Sequence, residues 1–241
     1  MTGRPLLLIT GASRGIGAGL ALAAAGRGYD LVLTARSLSP QLTDVADRAR
    51  AAGASVDLVP LALGSPASVA ALAATVSDRR FSGLINNAAH VGARGPLADQ
   101  DVEDLAEVLA VNVQGTILVT RAMIPLIEPG GAIIMMSSQS AQFGGNGLSA
   151  YAASKAALTG LTISLGRELA PAGIRVVAVS PGPVLTEPLL ALPPARLQEM
   201  QASLPMGRFC AVEDVAATVL WLMSAEAGYI SGAVVPVHGA R

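Results

Sequence analysis

The sequence has few of the residues that crosslink small domains or bind transition metals. Of its 241 residues, one is cysteine and two are histidine. The single cysteine, Cys210, excludes an intrachain disulfide and a cysteine-rich metal site. With only His90 and His238 available, a histidine-based zinc centre is not expected, and we predict no metal site. A chain of this length buries enough surface to be stable without such crosslinks.

Charged residues and long apolar runs are also scarce. Charged residues make up 14% of the chain and the formal net charge is −1, so no basic field attracts nucleic acid or anionic lipid. Hydrophobic residues reach 52%, yet we find no run of about 18 predominantly apolar residues that would predict a membrane span. The apolar stretch at residues 6–9 is shorter than a signal-peptide core. We therefore predict a soluble, cytoplasmic protein.

Short apolar runs alternate with alanine-rich segments along the whole chain. The predicted strands are Pro5–Thr10, Asp30–Thr34, Val56–Leu61, Gly83–Asn86, Ala132–Ser137, Arg175–Val179 and Ala233–Val237. The predicted helices are Ile16–Gly26, Pro40–Ala52, Pro66–Arg79, Asp101–Leu126, Ser149–Ala170 and Glu213–Met223. This alternation predicts a single α/β domain over residues 1–241, a Rossmann-type doubly wound sheet of about seven parallel strands with helices on both faces. The proline-rich segment 187–205 breaks the pattern, and we predict that it is a substrate-binding lid.

A glycine-rich loop follows the first predicted strand. It reads Thr10-Gly11-Ala12-Ser13-Arg14-Gly15-Ile16-Gly17. Its spacing, G-x3-G-x-G, differs from the common GxGxxG fingerprint, but the physics is similar. Glycines permit a tight turn and close backbone approach, and the helix that follows presents free N–H groups to a pyrophosphate. The loop therefore predicts a dinucleotide site, although a ligand-free turn of the same composition is the alternative.

The end of the second strand indicates which dinucleotide is bound. NAD sites usually place a carboxylate there to accept from the ribose 2′-hydroxyl. Here Arg36 follows the strand, and Arg14 lies in the glycine loop. Two guanidinium groups favour a 2′-phosphate, which accepts bidentate hydrogen bonds. We therefore predict NADP(H) in preference to NAD(H), although both arginines could instead be solvated surface residues.

A third group of residues suggests acid–base chemistry. Tyr151 and Lys155 are four residues apart on a predicted helix and so share one face, while Ser138 follows the fifth strand. Lys155 is the only lysine in the chain, so a purely solvating role is a poor explanation for it. A cation one turn away is expected to lower the pKa of the tyrosine towards neutrality.

Together these residues resemble the classical short-chain dehydrogenase/reductase family. The similarity covers nearly the whole chain. Further matching segments are Asn86-Asn87-Ala88, Asn112-Val113, Pro181-Gly182-Pro183-Val184-Leu185-Thr186 and Tyr229-Ile230-Ser231-Gly232. The resemblance implies an NADP(H)-dependent carbonyl reductase or alcohol dehydrogenase acting on a hydrophobic or mixed small molecule. A non-catalytic NADP(H)-binding sensor and a purely structural oligomer are the alternatives.

The resemblance also implies roles for individual residues. Tyr151 would be the general acid or base, Ser138 would hydrogen-bond the substrate oxygen, and Lys155 would hold the nicotinamide ribose. Asn112 would anchor a water that links Lys155 to solvent. The residues implied to contact the cofactor, besides Tyr151 and Lys155, are Gly11, Ser13, Arg14, Gly15, Ile16, Gly17, Arg36, Leu63, Asn87, Ala88, Pro181, Gly182, Val184 and Thr186.

Some positions depart from the family pattern, and one property lies beyond a single chain. Ala89 replaces a common glycine, Ala62 replaces a common aspartate, and His238 also replaces an aspartate. We interpret His238 as a substitution at a subunit contact and His90 as a packed loop residue. The family pairs its two long helices across two-fold axes, which implies a homo-oligomer, a tetramer in preference to a dimer.

Overall fold

The computed structural model describes residues 3–240, in which seven strands form one parallel sheet. The strands are β1 (Leu6–Thr10), β2 (Asp30–Ala35), β3 (Val56–Pro60), β4 (Phe81–Asn86), β5 (Ile127–Met136), β6 (Arg175–Pro181) and β7 (Ala233–Val237). They lie in the order β3-β2-β1-β4-β5-β6-β7. The direction of winding reverses at β1, which has β2 on one side and β4 on the other. This reversal opens a crevice at the carboxyl ends of the strands, where ligands bind in folds of this kind.

Ten α-helices, counted within residues 3–240, connect and cover the strands. They are α1 (Gly15–Gly26), α2 (Pro40–Ala51), α3 (Pro66–Thr75), α4 (Val102–Leu109), α5 (Thr116–Met123), α6 (Ser140–Phe143), α7 (Ser149–Leu169), α8 (Glu187–Leu190), α9 (Pro194–Ala202) and α10 (Val212–Met223). A π-helical segment, Ala110–Gly115, joins α4 to α5. The predicted long helix is therefore present, but it contains a π turn that its apolar periodicity did not reveal.

The alternation of side chains along each strand divides the core into two layers. On β1, Leu7 and Ile9 point into the layer covered by α1, α2 and α10, while Leu8 points into the layer beneath α3, α5 and α7. All three side chains are fully buried. Burial on both faces explains why the strands read as continuous apolar runs. The predicted fold class is confirmed.

Most predicted element ends lie close to the observed ones because local signals mark them. The exceptions are β5, which begins at Ile127 and not at Ala132, and α3, which ends at Thr75 and not at Arg79. Gly53 and Gly173, with φ of 89° and 71°, terminate helices in a conformation that favours glycine. Asp101 caps α4 by accepting from the main-chain N–H of Glu103 at 2.8 Å. The 187–205 segment forms the short helices α8 and α9 between β6 and α10.

One helix has the dimensions of a membrane span. Val102–Leu126 is 25 residues long and apolar enough to cross a bilayer by length and composition alone, so the expectation that no such segment exists is wrong. The segment was missed because acidic and polar residues interrupt its apolar positions. Its inner side, which includes Val119 and Met123, is buried against the sheet. This is the packing of a core helix.

Candidate active site

The glycine loop adopts a conformation that larger residues would not allow. Gly11 and Gly15 have φ of 67° and 55°. A Cβ atom at Gly11 would lie 2.7 Å from Cα of Ala88, and one at Gly17 would lie 2.1 Å from the carbonyl oxygen of Gly11. The loop therefore lies tightly between β1 and the chain after β4. It leaves the N-terminus of α1 uncovered by side-chain bulk, as a bound pyrophosphate requires.

Thr10 and Asn87 hold this loop in place. The Thr10 hydroxyl accepts from the main-chain N–H groups of Asn87 and Ala88, both at 3.0 Å. The Asn87 amide donates to the carbonyl oxygens of Thr10 and Gly11 at 2.9 and 3.1 Å. Asn87 and Ala88 are thus held against the glycine loop, and their contact with the cofactor stays a prediction. The bracing role of Thr10 was not predicted.

The two arginines predicted at the ribose each pair with a carboxylate. Arg36 donates to Glu107 at 3.2 Å, and Arg14 lies 3.8 Å from Glu187 at the start of α8. All four side chains are largely exposed. The guanidinium groups are therefore accessible at the crevice, but each is already near a negative charge.

The chain after β6 forms a further wall of the crevice. Thr186 packs on Gly15, since a Cβ atom there would lie 3.3 Å from the Thr186 methyl. Pro181 and Val184 are buried, and Gly182 lies against His238. The segment 181–186 thus lies beside the glycine loop, and its contact with the cofactor stays a prediction. Ser13 and Ile16 lie half-buried at the start of α1.

Leu63 follows β3, and its side chain is buried in the core. Its carbonyl oxygen packs on Gly115 of the π-helical segment, where a Cβ atom would lie 2.4 Å from it. Its contact with a cofactor stays a prediction. The Ser68 hydroxyl accepts a hydrogen bond from the main-chain N–H of Ala62 at 2.9 Å. This serine fixes the turn after β3, where Ala62 has no carboxylate.

Ser138, Tyr151 and Lys155 lie together at the end of β5 and the start of α7. The Ser138 hydroxyl lies close enough to the Tyr151 phenol to lower its pKa, and it accepts from the Ser140 N–H at 3.1 Å. The Lys155 ammonium lies 5.7 Å from the centre of the Tyr151 ring. It is 3% exposed and donates to the carbonyl oxygen of Met136 at 2.7 Å. The structure therefore brings the three residues together.

The electrostatics of the tyrosine differ from the expectation. Burial raises the pKa of Tyr151 above its usual value, while the Ser138 hydroxyl and the charge of Arg94 act in the opposite direction. The net direction is upward, so the expected lowering of the Tyr151 pKa towards neutrality is not found. The Lys155 ammonium is directed to the carbonyl oxygen of Met136, and burial lowers the pKa of Lys155 to about 8.

Asn112 acts as a clamp between elements. It is 1% exposed and lies in the π-helical segment, a feature often found at functional sites. Its amide donates to the carbonyl oxygen of His90 at 2.8 Å and to the Ser154 hydroxyl at 2.9 Å. Its oxygen accepts from the His90 N–H at 2.7 Å. Asn112 thus joins the chain after β4 to the helix that carries Tyr151 and Lys155.

The side chain of His90 belongs to a polar cluster. Its Nε2 atom lies 3.2 Å from Asp104 and 3.9 Å from Glu107. Ligand atoms of these three residues lie within 4.8 Å of one another, a spacing that could hold a metal ion. Both carboxylates already have protein partners, because Asp104 accepts from the Ala93 N–H at 2.7 Å and Glu107 pairs with Arg36. The cluster was not predicted because two of its three members are carboxylates on α4, distant in sequence from His90.

His238 follows β7 and lies against Gly182, in the chain after β6. Its ring packs edge-on against Phe143 with centroids 5.9 Å apart. Within residues 3–240, its buried Nδ1 atom and the buried Oε1 atom of Gln139 have no hydrogen-bond partner. His238 also lines a cavity of about 350 Å³ with Met206 and Phe209. The cavity does not include Ser138, Tyr151 or Lys155.

Several contributing residues had no recognisable sequence signal. Ser154 lies between Tyr151 and Lys155 but bonds to Asn112. Ser137 donates to the Lys155 carbonyl oxygen at 3.1 Å. Both are small polar residues within helix or strand patterns, and their partners are distant in sequence. A serine beside a suspected catalytic residue is the only signal that could have identified them.

Comparison with known proteins agrees with this geometry. A family profile described as enoyl-(acyl carrier protein) reductase matches residues 11–239. Oxidoreductase UcpA of Escherichia coli K12 is 35% identical over 245 residues, covering 96% of this chain and 92% of that protein.

Solved structures are similar over the same extent. A short-chain dehydrogenase/reductase from Serratia marcescens superposes with a TM-score of 0.92 at 30% identity, covering 98% of this chain and 97% of that one. A short-chain dehydrogenase from Burkholderia cenocepacia in complex with NADP gives a TM-score of 0.90 at 30% identity, covering 98% and 96%. With its glycine cradle and its Ser138, Tyr151 and Lys155 arrangement, this chain belongs to the short-chain dehydrogenase/reductase family of NAD(P)-dependent oxidoreductases.

Proposed function

We propose that the protein is an NADP(H)-dependent carbonyl reductase or alcohol dehydrogenase that acts on a hydrophobic or mixed small molecule. The observation that carries this proposal is the placement of the Tyr151 phenol beside the Ser138 hydroxyl, with the buried ammonium of Lys155 next to the same ring. This is a hydrogen-bonding and acid–base arrangement that a binding protein does not need. A non-catalytic sensor has no specific observation in its favour.

The residues of the crevice fit NADP(H). The glycine loop can pack this closely only because Gly11 and Gly17 lack a Cβ atom, and it leads into the N-terminus of α1, where main-chain N–H groups suit a pyrophosphate. Arg36 is exposed at the end of β2. A guanidinium group there suits the 2′-phosphate, and related structures contain NADP or NADPH. When bound, the cofactor supplies or accepts the hydride.

The chain's own residues then handle the proton and the substrate oxygen. In carbonyl reduction, the Tyr151 phenol donates its proton to the oxygen, and in alcohol oxidation the phenolate accepts it. The Ser138 hydroxyl donates a hydrogen bond to the same oxygen and stabilises its developing charge. Lys155 would hold the nicotinamide ribose, and its ammonium lies beside the Tyr151 ring. Asn112 anchors the water through which the proton is restored.

The substrate contacts come from the 187–205 lid and the loop after Ser138. Both present apolar side chains to solvent, among them Leu190 and Phe143, which are 59% and 56% exposed. An apolar substrate would cover this surface and so gain from its burial. We therefore assign the lid to substrate binding within a single domain.

Assembly and location complete the proposal. Exposed apolar side chains also lie on the long helices, including Leu109, Ile117 and Ile163. Packing these helices across two-fold axes would bury them, and we propose a homotetramer in the cytoplasm. Sedimentation that shows only monomer at micromolar concentration would contradict the assembly.

A direct test uses NADPH consumption with a panel of ketones. We expect turnover by the wild type and at least a 100-fold loss in Tyr151→Phe, because the donated proton is missing. NADPH at about 100 times its Kd should also stabilise both proteins by about 2.7 kcal/mol. Stabilisation without turnover of any ketone or alcohol would support a sensor, and the absence of both would contradict the proposal entirely.

A further inference from the structure

The guanidinium group of Arg36 has an ion-pair partner from a distant part of the chain. Arg36 follows β2, whereas Glu107 lies on α4, 71 residues later. Arg36 Nη2 lies 3.2 Å from Glu107 Oε1, and the side chains are 73% and 49% exposed. The pair therefore lies at the surface of the crevice, at the point where the proposed function places the 2′-phosphate.

The carboxylate of Glu107 has a different neighbour for each oxygen. Oε1 faces Arg36, while Oε2 lies 3.9 Å from Nε2 of His90. His90 is itself held by Asp104 at 3.2 Å and by the Asn112 clamp on its main chain. When Arg36 turns away, Glu107 thus keeps a polar neighbour and does not need to move.

This arrangement has different consequences for the two nicotinamide dinucleotides. Glu107 accepts one hydrogen bond of Arg36, through Nη2, so a 2′-phosphate can use that side of the guanidinium only when the ion pair opens. The phosphate must also approach a carboxylate of the same charge sign. A cofactor with a 2′-hydroxyl carries no charge there and leaves the ion pair intact. Removal of the Glu107 charge should therefore favour one cofactor selectively.

We propose that Glu107 is a specificity-determining residue for the cofactor: its carboxylate competes with the 2′-phosphate for Arg36 and so narrows the preference for NADPH over NADH. This inference rests on the proposed role of Arg36 in NADP(H) binding. Competition of this kind weakens NADPH binding and promotes release of the oxidised cofactor. Because the pair is exposed, the effect is modest and decreases with ionic strength.

The test is the Kd of NADPH and NADH for the full-length protein, measured by fluorescence titration of each cofactor. In Glu107→Gln we expect the Kd of NADPH to fall by about threefold or more at low salt, with the Kd of NADH unchanged. Glu168→Gln is the matched control, because Glu168 is an exposed carboxylate near the far end of α7. Equal changes in both variants, or equal changes for both cofactors, would overturn the proposal.

A double-mutant cycle identifies Arg36 as the intermediary. In an Arg36→Gln background, Glu107→Gln should give at most half of its original effect on NADPH, because nothing remains to compete for. An undiminished effect would indicate direct repulsion of the phosphate and overturn the competition. If Arg36→Gln itself changes neither Kd, the cofactor role of Arg36 is wrong and this inference falls with it. If Arg36→Gln weakens NADPH binding but Glu107→Gln has no effect, the role of Glu107 is refuted and the cofactor role of Arg36 stands.

Discussion

The ammonium group of Lys155 donates a hydrogen bond of 2.7 Å to the main-chain oxygen of Met136, at the end of β5. A lysine buried to this degree is unusual without a carboxylate partner. Burial lowers its pKa to about 8, so the ammonium is costly for the fold. The sole lysine of the chain therefore has a position that function explains better than stability.

Lys155→Arg should lose at least 100-fold in kcat, or about 2.7 kcal/mol of barrier stabilisation. The charge is retained, but the planar guanidinium is larger and cannot direct donors to the ribose, the tyrosine side and a water together. Steady-state kinetics with saturating NADPH measures this loss. Arg167→Lys, an exposed exchange on the same helix, is the control. Retention of more than a tenth of the wild-type kcat, with normal cofactor binding, would reduce Lys155 to a generic positive charge.

The stability of the protein should rise with pH between about 8 and 10.5 because of Lys155. Its pKa is about 8 when folded, against 10.5 as the ordinary value, so in this window the unfolded chain binds a proton that the folded chain does not. Below pH 8 the charged lysine is buried and its full cost lowers the stability of the folded protein. Lys155→Met should lack this rise, so the difference in the free energy of unfolding between the two proteins should change by about 2 to 3 kcal/mol across the window. Urea unfolding at pH 7 and pH 10 tests it, and parallel behaviour of the two proteins would contradict it.

Arg94→Gln should raise the pKa of Tyr151, so that the phenolate, which accepts the proton in alcohol oxidation, forms only at higher pH. The Arg94 charge lowers the pKa of Tyr151 against the larger effect of burial, so its removal should raise that pKa. Since Arg94 is exposed, solvent screens its charge and we expect this rise in pKa to be small. It would be visible in the acidic limb of kcat/KM for alcohol oxidation. Arg27→Gln is an exposed control, and a shift to lower pH in Arg94→Gln would refute the prediction.

Arg36→Asp should lower the ratio of kcat/KM for NADPH over NADH by more than tenfold, which is about 1.4 kcal/mol. The variant removes a phosphate partner and adds a carboxylate that accepts from a ribose hydroxyl. Arg80→Asp makes the same change of charge just before β4, at the amino-terminal end of the strands and so away from the crevice. It should leave the ratio unchanged. A wild type that already prefers NADH would show that Arg36 is only a surface residue.

Asn112→Ala should destabilise the protein by about 2 to 4 kcal/mol, because the main-chain N–H and carbonyl of His90 and the Ser154 hydroxyl lose their partner in a buried region. Urea unfolding measures the change, and Asn146→Ala in the exposed loop before α7 is the control. A loss of activity without this loss of stability would mean that Asn112 acts on the proton path alone.

The order of elements and the glycine loop could be predicted because their signals are local. Continuous apolar runs mark strands buried on two faces, and left-handed glycines such as Gly53 and Gly173 mark helix ends. The π turn around Asn112 could not be predicted, since a single extra residue per turn hardly disturbs an apolar pattern. The membrane-like character of Val102–Leu126 was missed because scattered acidic and polar residues interrupt its apolar runs, although its mean hydropathy is that of a membrane span.

Motif spacing along single strands and helices was enough to predict the family, the doubly wound sheet and the sites of Ser138, Tyr151 and Lys155. The pairing of these side chains depends instead on the packing of the whole chain. The contacts of Asn112 with His90 and Ser154, and of Arg36 with Glu107, join residues 22, 42 and 71 positions apart. Local periodicity carries no information about such partners, since only the packing of the complete sheet and its helices brings them together.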